Sequence, residues 1–325
     1  MIPPKLQLGD HIRVVSPAIT LAIISSEQRA TATECLGRLG LSVSFSRHAE
    51  ESDEFDSSSI RSRVEDLHEA FADPNVKGIL TTIGGYNSNQ LLRYLDFDLI
   101  AANPKVICGF SDITALATAI FAKTGLVTYS GPHFSTFAMR RGVEYTVEYF
   151  RKCLLESGSF MVQPAETWSD DEWYRDQEHR TFVENDGYLV INEGRAEGTL
   201  LGGNLCTLNL LQGTAYMPSL SGSILLLEDD HESKPFTFDR DLQSLLHLPG
   251  ISEVRGVIIG RFQKGSAMDR HTLIKILTTK QELDGIPVVA NADFGHTTPQ
   301  FTFPIGGTGH LIAEGGKVVF SIDEH

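Results

Sequence analysis

The chain has 325 residues, 41% hydrophobic and 21% charged, with 27 Lys and Arg against 42 Asp and Glu, for a formal net charge of −15. This length exceeds the usual single-domain size and predicts two domains with ample core. The acidic balance, with no basic stripe to offset it, argues against nucleic acid as a partner.

The predicted elements alternate from the start. Ile12-Arg13-Val14-Val15-Ser16-Pro17 reads as a first strand, a helix follows from about Ser26 to Leu39 with Gly40 closing it, and Leu41 to Phe45 reads as a second strand. Ile60 to Ala72 is an amphipathic helix, with Ile60, Val64, Leu67 and Phe71 at helical spacing. Lys77 to Thr82 is a short strand running into Gly84-Gly85, with a helix near Ser88 to Leu95. A buried strand at Val106 stops abruptly at Ser111, which opens an Ala- and Leu-rich helix from Ile113 to Lys123 with Gly125 as its C-cap; Val127-Thr128-Tyr129 is the next strand. Repeated βα units of this length imply a parallel sheet with helices on both faces and ligands at the carboxyl strand ends, where Gly84, Gly85 and Ser111 fall.

Between about Pro164 and Asp186 the composition becomes polar and aromatic, without a clean period. This segment reads as a long connecting loop, either facing substrate or serving as a solvated linker. Beyond it, β-like runs at Tyr188–Ile191, Ser223–Leu227, Val254–Ile259, Val288–Ala290 and Val318–Ile322 are divided by Gly-rich turns, with helices near Leu205–Leu211 and Asp269–Leu277. The expected division is an N-terminal domain over residues 1–163, a connecting loop over 164–186 and a β-rich α/β domain over 187–325.

Ser111 is placed where a nucleophile would stand, since a hydroxyl at a strand end meets the unpaired N–H groups of a helix start. The same position suits a plain N-cap serine. Glu228, which ends the run Ser223-Ile224-Leu225-Leu226-Leu227, is the candidate carboxylate for orienting a base. Glu228, Asp229, Asp230, His231 and Glu232 also admit a metal reading, although one contiguous run rarely closes a coordination shell. No GxxxxGK[ST] segment exists to hold nucleotide phosphates. Of the eleven histidines, His296 stands out, following the strand at Val288 through a Gly-bearing turn; His133, after Gly131-Pro132, is second. The N–H groups of Gly85 and Asp112 could together hold an oxyanion. Cys108 is the alternative nucleophile, but it lies inside its strand and reads as a buried thiol. The four cysteines, Cys35, Cys108, Cys153 and Cys206, show no CxxC spacing, and Cys108 and Cys206 lie in apolar segments. That usage points to a reduced, cytoplasmic protein. Met1-Ile2-Pro3-Pro4-Lys5 lacks the apolar stretch of a signal peptide, and no apolar run approaches the ~20 residues that cross a bilayer.

These pieces, taken together, resemble the LD-carboxypeptidase and microcin-immunity group of serine peptidases. The likeness runs nearly end to end, through Pro3-Pro4-Lys5-Leu6, Val14-Val15-Ser16-Pro17, Gly84-Gly85-Tyr86-Asn87-Ser88-Asn89, Gly109-Phe110-Ser111-Asp112, Gly202-Gly203-Asn204-Leu205, Leu226-Leu227-Glu228-Asp229 and Asp293-Phe294-Gly295-His296-Thr297. It implies a Rossmann-like N-terminal domain with a smaller β-rich C-terminal domain and a site between them. The roles implied are nucleophile for Ser111, base for His296, orienting carboxylate for Glu228, and backbone oxyanion donors at Gly85 and Asp112. No metal or cofactor is implied, and a homodimer is. The general GxSxG elbow wants glycine where Ile113 stands, so the likeness is to this group's own Gly-Phe-Ser-Asp form. Two substrate classes follow from the resemblance: a murein peptide ending in D-alanine, or the amide joining an acidic amino acid to a modified adenylate. Asn87-Ser88-Asn89 and the aromatic loop resemble the immunity type, which makes Asn87, Trp173 and Tyr188 candidate substrate contacts, the two aromatics stacking on adenine or merely anchoring the loop. A non-catalytic binding protein with an interdomain cleft is the reading from another class.

Overall fold

The structure, a computed structural model, describes residues 1–325. Strands β1 (His11–Val15), β2 (Ser42–Phe45), β3 (Val76–Thr81), β4 (Val106–Gly109) and β5 (Thr128–Ser130) alternate with helices α1 (Ser26–Arg38), α2 (Ile60–Ala72), α3 (Phe97–Ala102) and α4 (Ile113–Thr124), and α5 (Glu144–Leu154) follows β5. The five strands are parallel in the order β5-β4-β3-β1-β2. The strand order reverses at β1, and in such sheets ligands bind beyond the carboxyl ends at that reversal. Local signals account for the helix ends. α1 starts with a capping box between Ser25 and Gln28, and α4 ends at Gly125 in the left-handed conformation, φ 71°. The helix expected near Ser88 to Leu95 is a 3-10 helix over Ser88–Tyr94.

The second half is also α/β, with a parallel centre. The first half ends with β6 (Phe160–Met161), and the elements of the second are β7 (Thr167–Trp168), β8 (Val183–Glu184), β9 (Leu189–Asn192), β10 (Gly194–Asn204), α6 (Leu205–Asn209), β11 (Ser223–Glu228), α7 (Pro235–Leu246), β12 (Gly256–Gly260), α8 (Arg270–Thr278), β13 (Val288–Ala292), β14 (Phe303–Ile305), β15 (Thr308–Glu314) and β16 (Lys317–Glu324). The large sheet has eight strands in the order β6-β16-β15-β10-β11-β12-β13-β9. β10 to β13 are parallel neighbours linked through α6, α7 and α8, and the flanking strands are antiparallel. The expected long loop is not wholly irregular, because β7 and β8 pair within it.

Sheet membership does not follow chain order. β14 leaves the second half to pair antiparallel with β5, Phe303 opposite Ser130, and β6 leaves the first half to pair with β16. α4, buried from Ile113 through Ile120, lies between the sheets: one continuous core holds Ile107, Leu116 and Ile120 together with Leu200, Leu201, Leu225 and Phe303. A helix apolar all round needs such a setting. The other face of the first sheet is covered by α1 and α5 through Leu36, Phe150 and Leu154. No helix is long and apolar enough to cross a membrane.

Candidate active site

Ser111 occupies the turn between β4 and α4 with φ 60°, a left-handed conformation that side chains other than glycine seldom take. The local packing explains which glycine of the elbow matters. A Cβ on Gly109 would lie 2.2 Å from Thr81 Oγ1 and 3.1 Å from Ile113 Cγ2, so the position two before the serine admits only glycine. Ile113, two after it, is buried in the core, so no glycine is required there. Ser111 is not the helix cap; Asp112 stands in that position, and the serine hydroxyl is directed elsewhere.

That hydroxyl lies 3.0 Å from His296 Nε2, and His296 Nδ1 lies 2.7 Å from Glu228 Oε2. An ionised carboxylate only accepts, so Nδ1 carries the proton and Nε2 is left to accept from Ser111. Glu228 ends β11 and is 2% exposed. Its approach to the imidazole depends on Gly295, since a Cβ there would sit 2.4 Å from Glu228 Oε2. Burial pulls the His296 pKa down, but the Glu228 charge and hydrogen bond, with Asp230 and Asp229 behind them, outweigh it and hold it above the ordinary imidazole value.

Gly84 lies against Ser111: a Cβ on it would be 3.0 Å from Ser111 Cβ and 3.1 Å from its Oγ. The next residue, Gly85, is at φ 155°, and a Cβ there would meet Ala18 Cβ at 2.9 Å. Neither the Gly85 nor the Asp112 N–H donates to any acceptor in the protein. Asn87, by contrast, is committed, its N–H to Asp112 Oδ2 and its Oδ1 to Arg63. Trp173 packs edge-on to Tyr174 and against the core under α1 and α5. Tyr188 donates its hydroxyl to the Val162 carbonyl, an anchoring contact.

His133 is not a second base. It is buried under Phe110, whose ring stacks on it at 4.3 Å, and its Nδ1 is 2.7 Å from Thr81 Oγ1. Burial, then the charge of His296, drives its pKa down to about 3. Cys108 is fully buried, and burial pushes its thiol pKa well up, which removes it as a nucleophile. Cys206 departs from expectation in being exposed. The acidic run disperses its side chains: Glu228 to His296, Asp229 to Asn204, Asp230 to the Glu232 N–H. Burial, then the neighbouring Glu228 charge, pushes Asp229 up to about 7.

The aromatic loop is tied to the histidine's own segment. Ser169 and Thr298 exchange backbone hydrogen bonds of 2.7 and 2.9 Å, and the Ala165 N–H donates to Asp293. Trp168, which sequence reasoning passed over, lies between two cations, with Arg261 Cζ 4.9 Å and Lys264 Nζ 5.1 Å from its ring centroid. Arg63, Thr81 and Trp168 carry no sequence signal of their own; each gains its place only from which loops meet.

The profile of the LD-carboxypeptidase N-terminal domain matches residues 12–131, and that of the LD-carboxypeptidase C-terminal domain matches residues 197–311. The chain belongs to the LD-carboxypeptidase family of serine peptidases. It is 57% identical, over 100% of both chains, to YocD of Bacillus subtilis (strain 168), a protein named as a carboxypeptidase. It is 34% identical to the microcin C7 self-immunity protein MccF of Escherichia coli, over 94% of this chain and 91% of that one. A probable murein peptide carboxypeptidase of Bacillus subtilis (strain 168) is 30% identical over 94% and 89%. Among solved structures, the MccF-like protein of Bacillus anthracis str. Ames superposes with a TM-score of 0.99 at 56% identity over 100% of both chains. MccF in complex with aspartyl sulfamoyl adenosine superposes at 0.90 with 31% identity, over 100% of this chain and 99% of that one. Membership in this peptidase family sets aside the non-catalytic binding-protein reading.

Proposed function

We propose that the protein hydrolyses the amide between an acidic amino acid and a modified adenylate, through an acyl-enzyme on Ser111. The observation that carries the chemistry is the unbroken relay from Ser111 Oγ to His296 Nε2 at 3.0 Å and from His296 Nδ1 to Glu228 Oε2 at 2.7 Å. In this mechanism His296 takes the serine proton as Oγ attacks the scissile carbonyl, and Glu228 stabilises the imidazolium. The Gly85 and Asp112 N–H groups receive the developing oxyanion. His296 then returns the proton to the leaving nitrogen and activates the water that clears the acyl-enzyme. None of these steps draws on a metal or cofactor, so turnover is expected to survive exhaustive chelation.

The substrate half of the proposal is supported by likeness to MccF, which has been solved with aspartyl sulfamoyl adenosine. Trp173 is the candidate to stack on the base, a contact worth about 1–3 kcal/mol. A second reading, release of D-alanine from a murein tetrapeptide, is favoured by the similarity to a murein peptide carboxypeptidase. Parallel hydrolysis followed by mass spectrometry separates them: aspartyl or glutamyl sulfamoyl adenosine against a murein tetrapeptide, each with wild type and Ser111→Ala. Serine-dependent cleavage of the adenylate alone is expected; D-alanine release alone would move the protein to cell-wall recycling. The cysteine usage supports a cytoplasmic location and the family resemblance a homodimer, and light scattering after size exclusion tests the assembly.

A further inference from the structure

We infer that Arg63 and the Asp112 carboxylate form a clamp that sets the spacing between the Gly85 and Asp112 amides, and so positions the oxyanion site; this rests on the acyl-enzyme reading above. The two amides belong to different connections, one after β3 and one after β4. To stabilise one oxygen, both must lie within about 2.7–3.1 Å of it, and an error of about 1 Å in placement costs roughly a hundredfold in rate. Something has to hold the two loops in register.

Asp112 ties them directly. Its buried Oδ2 accepts from the Asn87 N–H at 3.1 Å and the Ser88 N–H at 2.9 Å, while Ser88 Oγ donates to the Asp112 carbonyl at 2.7 Å. Three hydrogen bonds thus join the elbow to the loop that begins at Gly85. They also consume the two loop amides that would otherwise compete for an anion. Arg63, buried on α2, grips the same loop from the far side: Nη1 donates to Asn87 Oδ1 at 2.9 Å, to the Asn87 carbonyl at 3.2 Å and to the Pro17 carbonyl at 3.1 Å, and Nη2 donates to Gln90 Oε1 at 2.8 Å. The Pro17 bond fixes the assembly to the exit of β1.

The charges are arranged to make this tolerable. A bare carboxylate beside an oxyanion would oppose it, but this one faces two N–H donors, with the Arg63 guanidinium in its field. Burial pushes the Asp112 pKa up, and the Ser88 and Asn87 hydrogen bonds and the Arg63 charge oppose that shift. Both side chains act through backbone they hold, which makes them positioning residues.

The test assays Asp112→Ala, Asp112→Asn, Arg63→Gln, Arg63→Lys and Ser111→Ala on aspartyl sulfamoyl adenosine and on the murein tetrapeptide, reading kcat and KM separately and checking folding by thermal melting. Asp112→Ala is expected to lose about 10²-fold in kcat, on the scale of a lost oxyanion donor, with KM within about twofold of wild type. Asp112→Asn keeps an acceptor for both amides and should recover about tenfold of that, as Arg63→Lys should over Arg63→Gln. A folded Asp112→Ala with wild-type kcat, a loss confined to KM, or an Asn variant no better than Ala overturns the clamp. If Asp112→Ala does not fold, the Asn variant and the Arg63 pair decide by the same criterion. Residual turnover in Ser111→Ala, or a wild type inert on both substrates, overturns the acyl-enzyme reading itself.

Discussion

Ser111 holds a backbone conformation that costs about 1–3 kcal/mol for a residue with a side chain. Glycine at this position would relieve the strain, less about 0.4–1 kcal/mol for the freedom it adds to the unfolded chain. Ser111→Gly should therefore be more stable than Ser111→Ala by about 1 kcal/mol, with both expected to be inactive; equal stabilities in thermal melting would mean the turn is unstrained. On the proposed mechanism the acid side of the rate profile belongs to His296, which must be neutral to take a proton. Its pKa is raised by Glu228, whereas that of His133 lies near 3. A single acid limb above the ordinary imidazole value of about 6.5 is expected in kcat/KM, with activity falling as pH drops through it. Glu228→Gln removes the charge that raises the pKa, so the limb should move to lower pH while kcat falls by about 10⁴-fold. An unmoved limb would assign the ionisation to another group. The residue types of the relay were legible because each ends a strand or follows a Gly-bearing turn. The partners of Asp112 were not, since nothing local in Arg63 or Ser88 says which loop it will meet.

At the scale of elements, α2 was readable to the residue because its apolar stripe faces one sheet, whereas α3 and α5 went unread. β10 was not readable either, and its glycines are the reason. Gly194, Gly198, Gly202 and Gly203 resemble turn residues, yet a Cβ on Gly198 would lie 2.4 Å from the Gly222 carbonyl oxygen and one on Gly202 only 2.0 Å from that of Leu226. Gly198 and Gly202 are glycines because the neighbouring backbone is too near, a fact no single segment records. α7 carries a legible start, Pro235 at its first turn with Phe238, Leu242 and Leu245 on one face, but the acidic run before it drew the reading toward chemistry. Gly203 also bears on the site. A Cβ there would meet Thr114 Oγ1 at 2.5 Å, and Thr114 Oγ1 accepts from the Asn204 N–H at 3.0 Å, the seam where α4 leans on β10. Gly203→Ala should destabilise by about 1–3 kcal/mol and lower kcat as α4 and its serine shift. Full activity in a destabilised variant would show that the seam serves stability alone.

Considered whole, the molecule is two large sheets that exchange strands between the halves and share a core. β14 crosses into the first sheet, β6 into the second, and α4 is packed by both. Domains joined by a small polar interface melt separately; these should not. Far-ultraviolet circular dichroism and tryptophan fluorescence are expected to report one coincident transition, and residues 1–158 expressed alone should fail to form a cooperative fold. Two separable transitions would mean that the exchanged strands contribute little. The division into two halves was legible from composition, whereas the exchange was not, because a three-residue strand such as Phe303–Ile305 carries no mark of which sheet receives it.

The crossing of β14 also has a consequence in time. The hydroxyl at position 111 emerges from the ribosome long before the imidazole at 296, and the sheet that carries it is closed only by residues 303–305. A nascent or truncated chain therefore holds Ser111 without the imidazole it will face. On the proposed mechanism, the peptidase is expected to stay inert until its last strands are in place.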